Sequence, residues 1–250
     1  MQKNENHEEM IVIGRNPVLE LLKSDRTIEK IYVLQGVREG SITKIFALAK
    51  NKGISIEEAN KKKLDTLSNG ELNQGVVAIA SPVTYYSPEE IIKDCREKNK
   101  RILLLICDDI EDPHNLGALL RCADGSGCDG VIVGKRRTTP ITQTVIKTSA
   151  GAYEYVKIAK VSNIANTIDV LKENNIWVYA ADGNGTEYTK MNFDCDVALV
   201  VGNEGKGISP LVKEKCDGIV SIPMYGGVSS LNVSTAAAVL LYDIAIKQRK

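Results

Sequence analysis

The chain has 250 residues, of which 43% are hydrophobic and 26% charged, and its 32 basic side chains are balanced by 32 acidic ones. This composition excludes a disordered or fibrous chain and allows a sizeable core without staples, and no apolar run reaches the ~18 residues of a membrane span. A zero balance argues weakly against a nucleic-acid partner, since such binders usually carry excess positive charge.

Residues 1–10 (MQKNENHEEM) are polar, read as disordered, and resemble neither a signal nor a transit peptide. Over 11–80 helical and strand patterns alternate. Helices are expected at Asn16–Leu22, Ile42–Lys50 and Lys61–Leu67, and strands at Lys30–Leu34, Ile54–Ile56 and Val76–Ala80. Residues 81–88 (SPVTYYSP) read as a connector. Ser87, Pro88, Glu89 and Glu90 then open a helix with a cap, an N1 proline and early acids.

From 89 to 250 the alternation resumes. Ile102–Cys107 and Val197–Val201 are continuous apolar runs, the pattern of strands buried on both faces. Further strands are expected at Gly130–Val133, Tyr155–Ile158, Ile176–Ala180 and Ile219–Ile222. Helices are expected at Leu116–Cys122, Ile141–Thr148 and Ile164–Glu173, and a long one through Val233, Ala237, Leu240, Leu241 and Ile244. Such alternation predicts an α/β fold with a mostly parallel, doubly covered sheet. The six cysteines form no C-x-x-C pair and read as reduced thiols of a cytoplasmic protein. With only two histidines, no metal site is expected.

Ligands of parallel sheets bind beyond the carboxyl ends of strands. Three such exits carry unusual residues. After Cys107, Asn115 can cap a helix that places Arg121 two turns in; alone, this is equally a capped helix with a surface arginine. After Val201, the glycines of Gly202-Asn203-Glu204-Gly205-Lys206-Gly207 permit close backbone approach to a ligand, and neither a dinucleotide fingerprint nor a phosphate loop fits; Glu204 is otherwise an ordinary turn carboxylate. After Ser221, a Gly/Ser-rich loop runs into the last helix, as an anion- or ligand-binding turn or simply as a flexible capped loop. The triplets Lys61, Lys62, Lys63 and Lys135, Arg136, Arg137 are either solvated ends or phosphate contacts.

In combination, Asn-x-Gly-x-x-x-Arg, Gly-Asn-Glu-Gly-x-Gly and Ile-Pro-Met with Ser-Ser-Leu-Asn-Val-Ser resemble, in this order, the three motifs of the SpoU (TrmH) family of RNA ribose 2′-O-methyltransferases, over roughly residues 102–248. The N-terminal region, with Gly14-Arg15-Asn16-Pro17-Val18 and Asn73-Gln74-Gly75, is similar to the small RNA-binding domain, like ribosomal protein L30e, that precedes the catalytic domain in ribosomal-RNA members.

The resemblance implies a SPOUT domain with a C-terminal trefoil knot, a homodimer through that domain, and S-adenosyl-L-methionine (AdoMet) bound in the knot. By motif, Gly202, Ile222, Met224 and Leu231 would hold the cofactor, and Asn115, Arg121, Glu204, Ser230 and Asn232 would form the catalytic group. Arginine stays protonated, so Arg121 is read as a stabiliser of the forming alkoxide rather than a base. Arg15 and the two basic triplets would contact RNA, with 23S rRNA, at a guanosine of the peptidyl-transferase region, as the implied substrate. Transfer RNA is the alternative within the same chemistry. A non-catalytic ribosome-assembly factor and a nicotinamide oxidoreductase are the readings outside it; the missing dinucleotide fingerprint opposes the latter.

Overall fold

The computed structural model describes residues 10–24 and 26–249. Residues 1–9 of the expected disordered tail lie outside these, while Met10 already belongs to a strand. The chain divides into two compact units, one up to Thr84 together with Ile141–Tyr155, the other Tyr85–Pro140 and Val156 onward.

The first unit is built from β1 (Met10–Ile13), α1 (Arg15–Lys23), β2 (Ile28–Leu34), α2 (Ser41–Lys52), β3 (Ile56–Ala59), α3 (Lys61–Leu67) and β4 (Val76–Ala80). Its sheet runs β1-β4-β2-β3, antiparallel except for β2-β3. The expected strand at Ile54 is displaced because α2 ends on Gly53 in the left-handed conformation (φ 67°) and the Ile54 amide is taken by the Ala49 carbonyl at 2.9 Å. The strand β3 therefore starts at Ile56.

The segment Ile141–Tyr155, expected with the second domain, is fastened to this unit. Its helix α6 (Gln143–Thr148) packs on β1. Lys147 pairs with Glu71 at 2.5 Å, and Arg26 pairs with Glu154 at 2.6 Å, where the side chains are only 11% and 1% exposed. Tyr155 donates its hydroxyl to Glu20 and closes a 3₁₀ turn over Ala152–Glu154, so the strand expected from Tyr155 begins only at Lys157.

The second unit carries β5 (Tyr85–Tyr86), α4 (Pro88–Glu97), β6 (Leu103–Cys107), α5 (Pro113–Ser126), β7 (Gly130–Gly134), β8 (Lys157–Val161), α7 (Ile164–Glu173), β9 (Trp177–Glu187), β10 (Val197–Val201), α8 (Pro210–Lys215), β11 (Gly218–Ser221) and α9 (Val233–Gln248). Within the supposed linker, Tyr85 and Tyr86 add a strand beside β8. Helix α4 opens with the expected capping box between Ser87 and Glu90. All seven strands are parallel, in the order β11-β9-β10-β6-β7-β8-β5. The central strands β6, β7 and β10 are buried at every position, as their unbroken apolar runs require. Ile102, Leu104, Ile106, Ala198 and Val200 join Ile168 and Leu171 of α7 in the core on one face. On leaving β11 at the sheet edge, the chain returns to lay α9 against α5 and β10. Because every strand points the same way, all carboxyl ends share one edge.

Candidate active site

A cleft of about 220 Å³ opens at that edge. Its walls come from the middle of β9, from the exits of β10 and β11 and from the start of α9. Val220, Ile222, Met224, Leu231, Val233 and Leu240 make it apolar on one side, and Asp182, Glu204 and Ser230 supply polar groups.

The β10 exit needs glycine at its first position. A Cβ on Gly202 would lie 2.4 Å from the Gly207 carbonyl and the Ile208 amide, which are backbone atoms that cannot step aside. Gly202 and Gly207 thus let the loop close on itself, with Asn203 and Gly207 exchanging backbone hydrogen bonds of 3.0 and 2.8 Å. Asn203 organises the turn further: Oδ1 accepts from the amides of Gly205 (2.9 Å) and Lys206 (3.2 Å), and Nδ2 donates to the Asp109 carbonyl at 3.1 Å. Below it, the buried Asp108 carboxylate accepts from the amide of Ser209 at 2.7 Å and from its hydroxyl. Asn203 was absent from the expected site, although Asn before Glu-Gly is a recognisable Asx-turn signal.

The catalytic candidates sort into two groups. Asn232 caps α9, its Oδ1 accepting from the Ser234 amide at 2.9 Å and hydroxyl at 2.6 Å. With its Nδ2 it donates to Asn115 Oδ1 at 3.0 Å and also to Glu204. Three residues from the three motifs thus meet at one amide. Asn115 is not the cap of α5; Asp112 is, accepting from the His114 amide at 2.8 Å, and this leaves the buried Asn115 side chain free to face Asn232. Ser230 and Leu231 line the cleft between them. Arg121 stands apart: it is exposed on α5 and does not line the cleft.

The second unforeseen contribution is Asp182, from the extension of β9 well past its expected end at Ala180. Lys213, 2.8 Å away, and the Asn184 amide hold its carboxyl below the usual carboxylate range. Among the basic candidates, Arg15 is half-buried and donates Nε to the Gln74 carbonyl at 3.0 Å. Lys63 pairs with Glu57, while Lys61 and Lys62 are exposed at the start of α3. Arg137 reaches Asp109 at 3.2 Å, and Lys135 and Arg136 are exposed. Among the described residues there is no cluster of three His, Cys, Asp or Glu side chains fit to hold a metal.

An all-parallel sheet with glycine loops closing a cleft at its carboxyl edge, beside an Asn–Asn–Glu cluster, is the architecture of a ligand-binding α/β protein. Residues 102–242 match the model of the SpoU rRNA Methylase family, and residues 11–86 match that of RNA 2′-O ribose methyltransferase substrate binding. A Staphylococcus haemolyticus protein named for the TrmH family of tRNA/rRNA methyltransferases is 43% identical over 244 residues, covering 97% of this chain and 98% of that one. A crystal structure of an RNA 2′-O ribose methyltransferase superposes with a TM-score of 0.79 at 26% identity, over 97% of this chain and 90% of the other. The fold is also that of the SpoU methyltransferase AviRb from Streptomyces viridochromogenes, solved with AdoMet (TM-score 0.79, 22% identity, 99% and 94% covered). The chain belongs to the SpoU (TrmH) family of RNA ribose 2′-O-methyltransferases, enzymes whose methyl donor is S-adenosylmethionine.

Proposed function

We propose that this protein methylates a ribose 2′-hydroxyl in 23S rRNA, at a guanosine of the peptidyl-transferase region, in the cytoplasm. The observation that carries the reading is the meeting of Asn115, Glu204 and Asn232 at the mouth of the glycine-walled cleft. The matched substrate-binding unit supports a large folded RNA as the target.

The cleft suits the cofactor. Its apolar lining would take a flat base, and the carboxylates of Asp182 and Glu204 would attract the positive charge of a sulfonium or an amino group. Gly202, Ile222, Met224 and Leu231 would hold it, and when bound it supplies an electrophilic methyl carbon. The protein's own task is to bring a hydroxyl oxygen in line with that carbon and to favour loss of its proton. Asn232, fixed as the cap of α9, orients Glu204 and Asn115; Ser230 stands beside them on the loop. Arg121, exposed on the helix that packs along α9, would meet the RNA from outside the cleft and lower the energy of the alkoxide. Arg15, Lys61–Lys63 and Lys135–Arg137 contribute phosphate contacts.

We further infer a trefoil knot and a homodimer. The return of α9 from the sheet edge to α5 and β10 supports the first. Helix α9 supports the second: it is apolar around its circumference, with Tyr242 48% and Ile246 56% exposed, the composition of a helix covered on all sides. Methyl transfer from labelled AdoMet to deproteinised 23S rRNA and to bulk tRNA tests the reading. Incorporation into the ribosomal RNA, mapped to a guanosine ribose, is expected; incorporation into tRNA alone would replace it with the tRNA alternative.

A further inference from the structure

We propose that the N-terminal unit holds a pocket for an unpaired nucleobase of the RNA, read at an exocyclic amino group by the side-chain carbonyl of Gln143. The inference rests on the RNA-substrate reading above. The pocket measures about 280 Å³ and lies wholly within this unit, between β1, the loop after α3 and the start of the Ile141–Tyr155 segment. Ile11, Ile13, Leu67 and Ile141 make its walls apolar, and Asn69 and Gln143 are among its polar groups.

Gln143 Oε1 is buried and has no hydrogen-bond partner. A dry carbonyl of this kind is costly and uncommon in folded proteins, and Gln143 lines the pocket, so a donor that enters it would give Oε1 the partner it lacks. Glu71 and Ser68 of the pocket are already engaged. Glu71 is paired with Lys147 at 2.5 Å. Ser68 Oγ donates to the Glu71 carbonyl at 3.0 Å and accepts from Asn73 Nδ2 at 3.2 Å, and the same Nδ2 reaches Asp65 at 3.1 Å. The loop is thereby set before any ligand arrives, which keeps the ordering cost of binding low.

Apolar walls around one unpartnered acceptor suit a flat heteroaromatic ring bearing an amino group. Adenine N6 and cytosine N4 present such a donor. Uracil presents its N3–H between two carbonyl oxygens, which would be pressed against the same buried acceptor. Bases splayed out of single strands are the elements that RNA-binding proteins take into pockets of this kind.

The test is fluorescence anisotropy of the full-length protein with two labelled single-stranded oligomers of equal length, one of adenosine and one of purine riboside, which differ only by the amino group. The wild type is expected to bind the adenosine oligomer about five- to tenfold more tightly, the worth of one hydrogen bond to an otherwise unpaired acceptor. Gln143→Leu should bring the two to equality, and Gln143→Glu, which keeps an acceptor, should preserve the preference. Equal binding of both oligomers by the wild type overturns the proposal and leaves a pocket filled by water alone; a preference that survives in Gln143→Leu overturns it too, by placing the recognition elsewhere. If Gln143→Leu fails to fold, Gln143→Met, of similar length and without the carbonyl, is put to the same comparison with the same expected loss of preference. Failure of the enzymatic reading would look different: no methyl incorporation, with the oligomer preference intact.

Discussion

Asn232 and Asn115 are joined by a 3.0 Å hydrogen bond, from Nδ2 of the first to Oδ1 of the second, across 117 positions of sequence. The same Asn232 caps α9 through its other side-chain atom. Its two roles can be separated. Asn232→Ala should cost about 1–2 kcal/mol of stability through the lost cap and about 100-fold in methyl transfer. Asn232→Ser restores a capping oxygen without the amide donor, so the melting temperature should recover and the rate should not. A serine variant with wild-type turnover would show that the links to Asn115 and Glu204 are dispensable.

Arg121 is exposed and outside the cleft, so its contribution should be confined to the RNA side of the reaction. Arg121→Ala is expected to reduce methyl transfer about 100-fold or more while AdoMet affinity, measured by calorimetry, stays nearly unchanged. A mutant that turns over like the wild type would remove Arg121 from the mechanism.

Gly202 and Gly183 both line the cleft yet predict opposite outcomes. An added methyl at Gly202 meets backbone at 2.4 Å, whereas at Gly183 nothing lies within 4 Å. Gly202→Ala should distort the loop and abolish AdoMet binding; Gly183→Ala should fold and bind. Calorimetry on the two purified variants distinguishes steric necessity from mere proximity to the cleft.

The Arg26–Glu154 pair is nearly dry, and both Arg26 Nε and Glu154 Oε2 lack partners. Arg26→Met strands the carboxylate and should cost about 3–5 kcal/mol in urea unfolding. The double variant Arg26→Met/Glu154→Leu should regain most of that loss, because the penalty comes from an uncompensated charge rather than from the missing attraction. A double variant no more stable than the single one would contradict this account.

Asp94 bridges Lys98 and Lys157, at 2.7 and 2.8 Å. Hydrogen bonds to these ammonium groups, Lys157 first, lower its carboxyl to about 2. A depressed carboxylate stabilises the fold above its ordinary value of 3.8 and loses that contribution as the pH falls towards about 2. Wild type should therefore exceed Asp94→Asn in stability at pH 6, with the gap closing between pH 4 and pH 2 and narrowing in high salt, since these groups are at least partly open to solvent. A gap independent of pH would assign the difference to packing instead.

Much of the secondary structure was legible residue by residue. The expected limits of α3, β4, α7 and β10 coincide with those observed, because each is set by local signals: an apolar period, a capping side chain, a glycine stop. Where a neighbour intervened, the reading slipped. Ile54 was claimed by the end of α2, Tyr155 by a 3₁₀ turn, and Tyr85–Tyr86 became a strand only because β8 offers them an edge. Strand β1 and helix α8 were too short for their periodicity to register.

The candidate site was legible as three motifs and illegible as a geometry. Sequence by itself determined the residue types: glycines where a Cβ would meet backbone, an Asn able to cap a helix, and carboxylates beside them. Only the tertiary structure decided that the Asn115 side chain meets Asn232, that β9 runs on to bring Asp182 into the cleft, and that Ile141–Tyr155 is fastened to the N-terminal unit. The physical reason is range. A cap or a turn is settled by atoms a few residues away, whereas the Asn232–Asn115 bond exists only once β6 and β10 pair and α9 folds back onto α5.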